Sequence, residues 1–138
     1  MSHHTADPVC PLCADKLQMA VPELVAWFNR IKAVYPNAHV SWSYRNQADQ
    51  EQFFKDGKTQ CHYPNSAHNK MQNGKPAALA LDIFLIDEDG SARFPGLWYA
   101  KLNAENEQNR EPILWGGRWK HLGDMDHFEF SGAQRSEA

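Results

Sequence analysis

The chain of 138 residues has few cysteines, no long apolar run and no concentration of basic charge. Each shortage excludes something. No apolar stretch reaches bilayer length, so neither a transmembrane helix nor a membrane partner is expected. Lys and Arg total 14 against 17 Asp and Glu, a net charge of −3, and no basic run could track a phosphate backbone. Nucleic acid is therefore disfavoured as a partner. The opening "MSHHTADPVCPLC" has neither the basic start nor the apolar middle of a secretory signal, so synthesis as a cytosolic, soluble protein is expected. Cys10, Cys13 and Cys61 are an odd number of thiols, which argues against a disulfide framework. Repeats and low-complexity tracts are absent, as are His-Glu-x-x-His, Gly-x-Ser-x-Gly and phosphate-loop motifs. "DEDGS" begins like a calcium loop, but Ala92 stands where that loop requires glycine, and the segment reads as a solvated turn.

A hydrophobic fraction of 42% and a charged fraction of 22% lie in the ordinary globular range, which points to one domain over residues 1–138 with a core of its own. Residues 22–35 read as a helix, with Pro22 in its first turn and Leu24, Trp27, Phe28, Ile31 and Val34 on one face. "HVSWSY" alternates like a strand, placing Val40, Trp42 and Tyr44 on one side. A second helix is expected between the cap Asn46 and the stop Gly57. Residues 58–76 read as a long polar loop. "AALALDIFLIDEDGSARF" reads as an apolar strand, an Asp-Gly turn and a return strand. A helix over 97–109 and two last strands, "PILWGG" and "DHFEF", complete the pattern. Strands and helices do not alternate as βαβ units, so the class is α+β with an antiparallel sheet flanked by helices.

Asp82 sits within "LALDIFLI", where an unpaired carboxylate would cost several kcal/mol. Something cationic must meet it: an Arg or Lys in a salt bridge, or a metal if histidines converge. His68, shortly before this strand, and His127, at the start of the last one, are the candidates. Alternation in "DHFEF" puts His127 and Glu129 on one sheet face. Two imidazoles and a carboxylate with an open fourth position compose a catalytic zinc site. His3, His4, His39, His62 and His121 read as ordinary surface or core residues. "CPLC" is half of a zinc knuckle or a redox pair; no strand and βαβ unit support the redox reading, and buried or free thiols are favoured over a zinc site. Cys10 and Cys13 either join Cys61 and His62 in a second, structural zinc site or are simple buried or free thiols.

These residues resemble a known family. "SAH…ALALD" followed by "WGGRW…GDMDHFEF" is similar to the zinc peptidases that include D-Ala-D-Ala carboxypeptidases, vancomycin-resistance D,D-dipeptidases and phage L-alanyl-D-glutamate endopeptidases. The resemblance runs from about residue 20 to 130, which leaves residues 1–20 as an N-terminal extension. It implies a hedgehog/D,D-peptidase-like fold, one catalytic Zn2+ on His68, Asp82 and His127, and Asp124 as the catalytic acid. "SYRNQADQ" resembles the family's Tyr-Arg-Ser segment, which makes Arg45 the cation that polarises the substrate. Ser66 is read as substrate-binding, and so are Lys70 and Lys75, whose segment beside His68 is expected at the cleft rim, where they could meet the carboxylates of a stem peptide. Asp126 replaces a proline that commonly precedes the last histidine, so Asp124 and Asp126 both compete for the role of base, and the spacing favours Asp124.

The implied substrate is the peptidoglycan stem peptide. "WGG.W" and "HFE" favour the L-alanyl-D-glutamate bond and a phage-type endolysin, acting as a monomer on the cell wall in the host periplasm after release. A D,D-carboxypeptidase and a non-catalytic zinc-stabilised binding module are the rival readings. Thirteen residues separate His68 from Asp82, more than the family pattern, so "KMQNGKP" is expected to project as a mobile flap. Asn69, Lys70, Gln72, Asn73 and Lys75 would then face water.

Overall fold

The computed structural model describes residues 10–119 and 123–131. Helical spacing of Leu24, Trp27, Phe28 and Ile31 gives α2 (Pro22–Val34) one apolar face, and all four side chains are buried. A shorter helix, α1 (Pro11–Leu17), precedes it. Sequence reasoning missed α1 because seven residues with two charges carry no clear period. The cap Asn46 accepts from Asp49 N at the start of α3 (Gln47–Lys55), as its position suggested. The last helix, α4 (Gly96–Gln108), buries Trp98, Tyr99 and Leu102.

The strands are β1 (Ala38–Trp42), β2 (Met71–Gln72), β3 (Lys75–Pro76), β4 (Ala80–Ile86), β5 (Ala92–Arg93), β6 (Ile113–Trp115) and β7 (His127–Phe130). The main sheet is antiparallel throughout, ordered β1-β4-β7-β6, with β5 pairing to the end of β4. This is the α+β class read from the sequence. No described helix is long and apolar enough to cross a membrane.

The strand period of two divides the sheet's faces. Val40, Leu81, Ile83 and Phe128 face the core with Trp27 and Tyr99, and Trp27 and Phe128 pack with ring centroids 5.1 Å apart. Tyr99 Oη donates to the Ile83 carbonyl at 2.5 Å, which satisfies the phenol where it is buried. Asp82, His127 and Glu129 take the alternate positions.

At one place the alternation breaks. Val40 pairs with Ile83, but Trp42 pairs with Asp82, so Ser41 and Trp42 together oppose one residue of β4. Such a bulge shifts the following residue to the other face. Trp42 therefore leaves the core face of Val40, where simple alternation had placed it, and lines the cleft beside Asp82.

The segment between His68 and Asp82, read from the sequence as a polar loop, is ordered locally as a hairpin with residues 71–75 exposed. β2 and β3 form a hairpin closed at its base by Ala77 N donating to the Lys70 carbonyl. Asn73 and Gly74 carry φ of 54° and 75°, the positive pair that a type I′ turn requires and Asn-Gly supplies. Asn69, expected to face water, is buried.

Candidate metal centre

His68 is set by its neighbours before any ligand is considered. It lies in a 3-10 turn, Ala67–Asn69, whose cap Ser66 accepts from His68 N at 3.1 Å. The Asn69 side chain reaches back to Ser66 N at 3.0 Å, completing a capping box. Ser66 is fully buried, and its hydroxyl holds the turn that carries His68. His68 Nδ1 lies 2.7 Å from the Ser43 carbonyl, which makes Nδ1 the donor and leaves Nε2 as the acceptor.

His127 is fixed in the complementary sense. Its Nε2 lies 2.8 Å from Glu129 Oε1, two residues along the same strand face. In the neutral ring the lone pair is thereby left on Nδ1, the nitrogen that faces Asp82. Antiparallel pairing places Asp82 directly opposite His127. His68 Nε2 lies 3.1 Å from His127 Nδ1 and 3.2 Å from Asp82 Oδ1, and His127 Nδ1 lies 3.3 Å from Asp82 Oδ1. Three ligands held at about 2.0–2.1 Å around a tetrahedral zinc would stand about 3.3 Å apart. The donor set fits such an ion in identity, orientation and spacing. Glu129, which orients His127, was read from the sequence only as sharing the His127 face; the period of two in "HFEF" was the available signal.

The charges are strongly coupled. Burial would raise the Asp82 carboxyl, but the charges and hydrogen bonds of His68 and His127 outweigh it and hold Asp82 well below the usual range. Burial pushes His68 down. Burial would push His127 down too, yet its hydrogen bonds to Asp82 and Glu129 raise it to about 10.

Beside this trio lies a cleft of about 530 Å³, whose walls include Trp42, Arg45, Phe53, Asp82, Asp124 and Asp126. Lys70 and Lys75, expected at its rim, are not among its lining residues, and Lys70 Nζ reaches the Pro64 carbonyl. Arg45 is buried, its guanidinium 4.1 Å from the Phe53 ring centroid and 5.1 Å from that of Trp42. Nη1 donates to Gln50 Oε1 at 3.1 Å and Nη2 to Asp82 Oδ2 at 3.4 Å. Nε has no partner among the described residues. Asp82 thus meets an arginine, one of the two cations weighed for it, and the converging histidines that were the condition for the other.

Asp124 and Asp126 both border the cleft, and each carboxylate can approach Asp82 within 4.8 Å. Burial raises both, and Asp126, next to the Asp82 charge and hydrogen-bonded to Asp124, is pushed up to about 9. That shared hydrogen bond lowers Asp124 and raises Asp126, so the two carboxyls hold a proton between them.

The loop bearing these aspartates is shaped by Gly116, whose carbonyl accepts from Asp124 N at 3.0 Å. A Cβ there would lie 2.5 Å from the Asp124 carbonyl oxygen and 3.0 Å from His127 Cβ. Trp115 Nε1 donates to the Met125 carbonyl at 2.7 Å, and the Trp119 ring lies 4.7 Å from that of His127. His3, His4 and His121 lie outside the described residues.

The four residues considered for a second zinc do not gather. Cys61 N donates to Thr59 Oγ1, and the exposed His62 stacks on Phe54 and pairs with Glu51. Cys10 and Cys13 instead meet His39.

No protein-family model matches the chain, and no curated protein matches it. Among solved structures, it is similar in fold to the L-Ala D-Glu endopeptidase ChiX of Serratia marcescens. The TM-score is 0.66 and the identity 24%, over 86% of this chain and 85% of that one.

Proposed function

We propose that this chain is a zinc-dependent peptidase of bacterial peptidoglycan that cleaves the stem peptide, at the L-alanyl-D-glutamate bond. One observation carries the reading: His68 Nε2, Asp82 Oδ1 and His127 Nδ1 converge at zinc-ligand spacing on the wall of a cleft that also holds a carboxyl pair and a buried arginine. The fold likeness to an L-Ala D-Glu endopeptidase supports the substrate class. The phage-type endolysin setting and action on the wall after release belong to the same proposal.

When bound, zinc would supply a Lewis acid and lower the pKa of water towards ~7. The chain's own residues do the rest. Asp124, at the cleft beside the trio, takes a proton from the attacking water and delivers it to the leaving amine. Asp126 keeps its proton and holds Asp124 in place through their hydrogen bond. Arg45, clamped by Phe53, Trp42 and Gln50, stabilises negative charge on the attacked carbonyl oxygen. A non-catalytic module would need neither the acid at 124 nor an arginine at the cleft.

Mass spectrometry of purified peptidoglycan digested with the zinc-loaded protein tests this directly. New fragments beginning at D-glutamate are expected. Release of terminal D-alanine alone would instead make the chain a D,D-carboxypeptidase. An intact substrate beside a stoichiometrically loaded protein would leave only the binding module.

A further inference from the structure

β1 is an edge strand of the sheet, and α1 packs against it. Cys10, Cys13 and His39 meet at that junction, all three buried, with their ligating atoms within 4.8 Å of one another. Cys13 Sγ lies 3.4 Å from His39 Nδ1. Zinc bonds of about 2.3 Å to sulfur and 2.0–2.1 Å to nitrogen place a thiolate and an imidazole nitrogen about 3.5 Å apart in a tetrahedral site. Burial pushes the Cys13 thiol up to about 12, and two backbone donors to the sulfurs act against it. Cys13 N–H donates to Cys10 Sγ and Val40 N–H to Cys13 Sγ, each at 3.4 Å. A hollow of about 170 Å³ bordered by Cys10, Cys13, Leu17, Phe28 and Lys32 gives an ion a way in.

We infer that Cys10, Cys13 and His39 form a second zinc site, separate from His68, Asp82 and His127, that staples α1 to the sheet edge. Zinc replaces the two thiol protons and bonds the imidazole nitrogen, and a water or another donor takes the fourth position. Cys61 and His62 have no part in it. A redox role suits the pair less well, because reactive thiols are partly accessible whereas Cys10 and Cys13 are 3% and 4% exposed.

The staple also reaches the other centre. Ser43 Oγ donates to the Lys16 carbonyl of α1 at 2.6 Å, and the Ser43 carbonyl is the group that orients His68. Fixing α1 therefore steadies the loop that holds a ligand of the cleft. The inference stands whether or not the cleft is catalytic.

Cobalt distinguishes the two centres, because only this one contains sulfur. Titrating Co2+ into the reduced, metal-free full-length chain should produce a thiolate-to-cobalt charge-transfer band. The band should persist in the His68→Ala/His127→Ala double variant and in Cys61→Ser, and vanish in Cys13→Ser. Zinc content should fall by about one equivalent in His39→Ala, since each ligand removed leaves too few donors. The unmodified chain decides the matter even if Cys13→Ser fails to fold. No charge-transfer band there, or a band abolished by Cys61→Ser, would overturn the site.

Discussion

Glu129 stands two residues beyond His127 on the same strand face, and its carboxylate lies 2.8 Å from the ring nitrogen that His127 turns away from Asp82. The contact sets the tautomer, so the lone pair points to where His68 and Asp82 converge. Outer partners of this kind typically govern metal affinity ~10–100-fold. Glu129→Ala is expected to weaken zinc binding at the His68 centre by about that factor. Glu129→Gln, which still offers an oxygen acceptor, should weaken it less. Competition with a chromogenic chelator measures both, and equal losses would mean that Glu129 acts by packing alone.

Proton linkage gives a second expectation. His127 is raised to about 10, yet zinc needs its neutral nitrogen. Zinc binding near pH 7 should therefore release a proton from His127, and affinity should rise with pH, about tenfold per unit for one proton. The metal-free fold follows the opposite course. A folded pKa above the unfolded one contributes stability present below about 6.5 and lost as pH rises through about 10. Asp126, pushed up to about 9, acts in the same direction, favouring the fold while it is protonated. Thermal scans of chelator-treated protein should show Tm falling between neutral and alkaline pH. Calorimetry in buffers of different ionisation enthalpy counts the released proton.

The carboxyl pair separates two roles. Asp124→Ala should retain zinc and fold but lose most hydrolysis, ~10²–10⁴-fold. Asp126→Asn keeps a hydrogen-bond donor to Asp124 and should cost far less. If Asp126→Asn is the inactive variant while Asp124→Ala still cleaves, the base is Asp126.

Much of this was legible in the sequence for identifiable reasons. Asp82 announced itself because a carboxylate among apolar neighbours needs a cation, and the period of two in "DHFEF" put His127 beside Glu129. Trp42 was misplaced because a bulge depends on pairing with a distant strand, which local alternation cannot show. The hairpin was readable in "NGK" but was hidden by its polar strands, which have no buried face to give them a pattern. His39 looked ordinary for another reason. Its proximity to Cys13 arises only when α1 packs on β1, and α1 itself carried no periodic signal.

Gly116 tests the geometry of the aspartate loop. An added Cβ would strike the Asp124 carbonyl oxygen at 2.5 Å, backbone that cannot swing aside as a side chain could. Gly116→Ala should therefore displace Asp124 and cost about 1–3 kcal/mol of stability, the usual range for overpacking. Catalysis should fall more than zinc content, because the clash with Asp124 is the tighter, while His127, 3.0 Å from the added Cβ, is also held by Asp82 and Glu129. A variant with unchanged denaturation midpoint and unchanged kcat would show that the loop relaxes freely.

The hairpin between the ligands offers the last test. Its base is closed by the Ala77 N to Lys70 carbonyl bond, while His68 is held from elsewhere, by Ser66 and Ser43. Residues 71–76 can therefore be removed and the ends rejoined without touching a ligand's support. Loop-closure cost varies slowly with length, so stability should change little. Zinc content should survive for the same reason. The hairpin's outer residues are exposed, and Tyr44 Oη meets Met71 Sδ at 3.8 Å just before the cleft residue Arg45. A long polymeric substrate would pass this projection on its way in. The expected outcome is a raised KM for intact peptidoglycan with kcat nearly unchanged. A short soluble stem peptide, too small to reach the hairpin, should be cleaved as before. Equal KM values for the polymer in both proteins would leave the hairpin without a part in substrate capture, and loss of zinc would mean that it supports His68 after all.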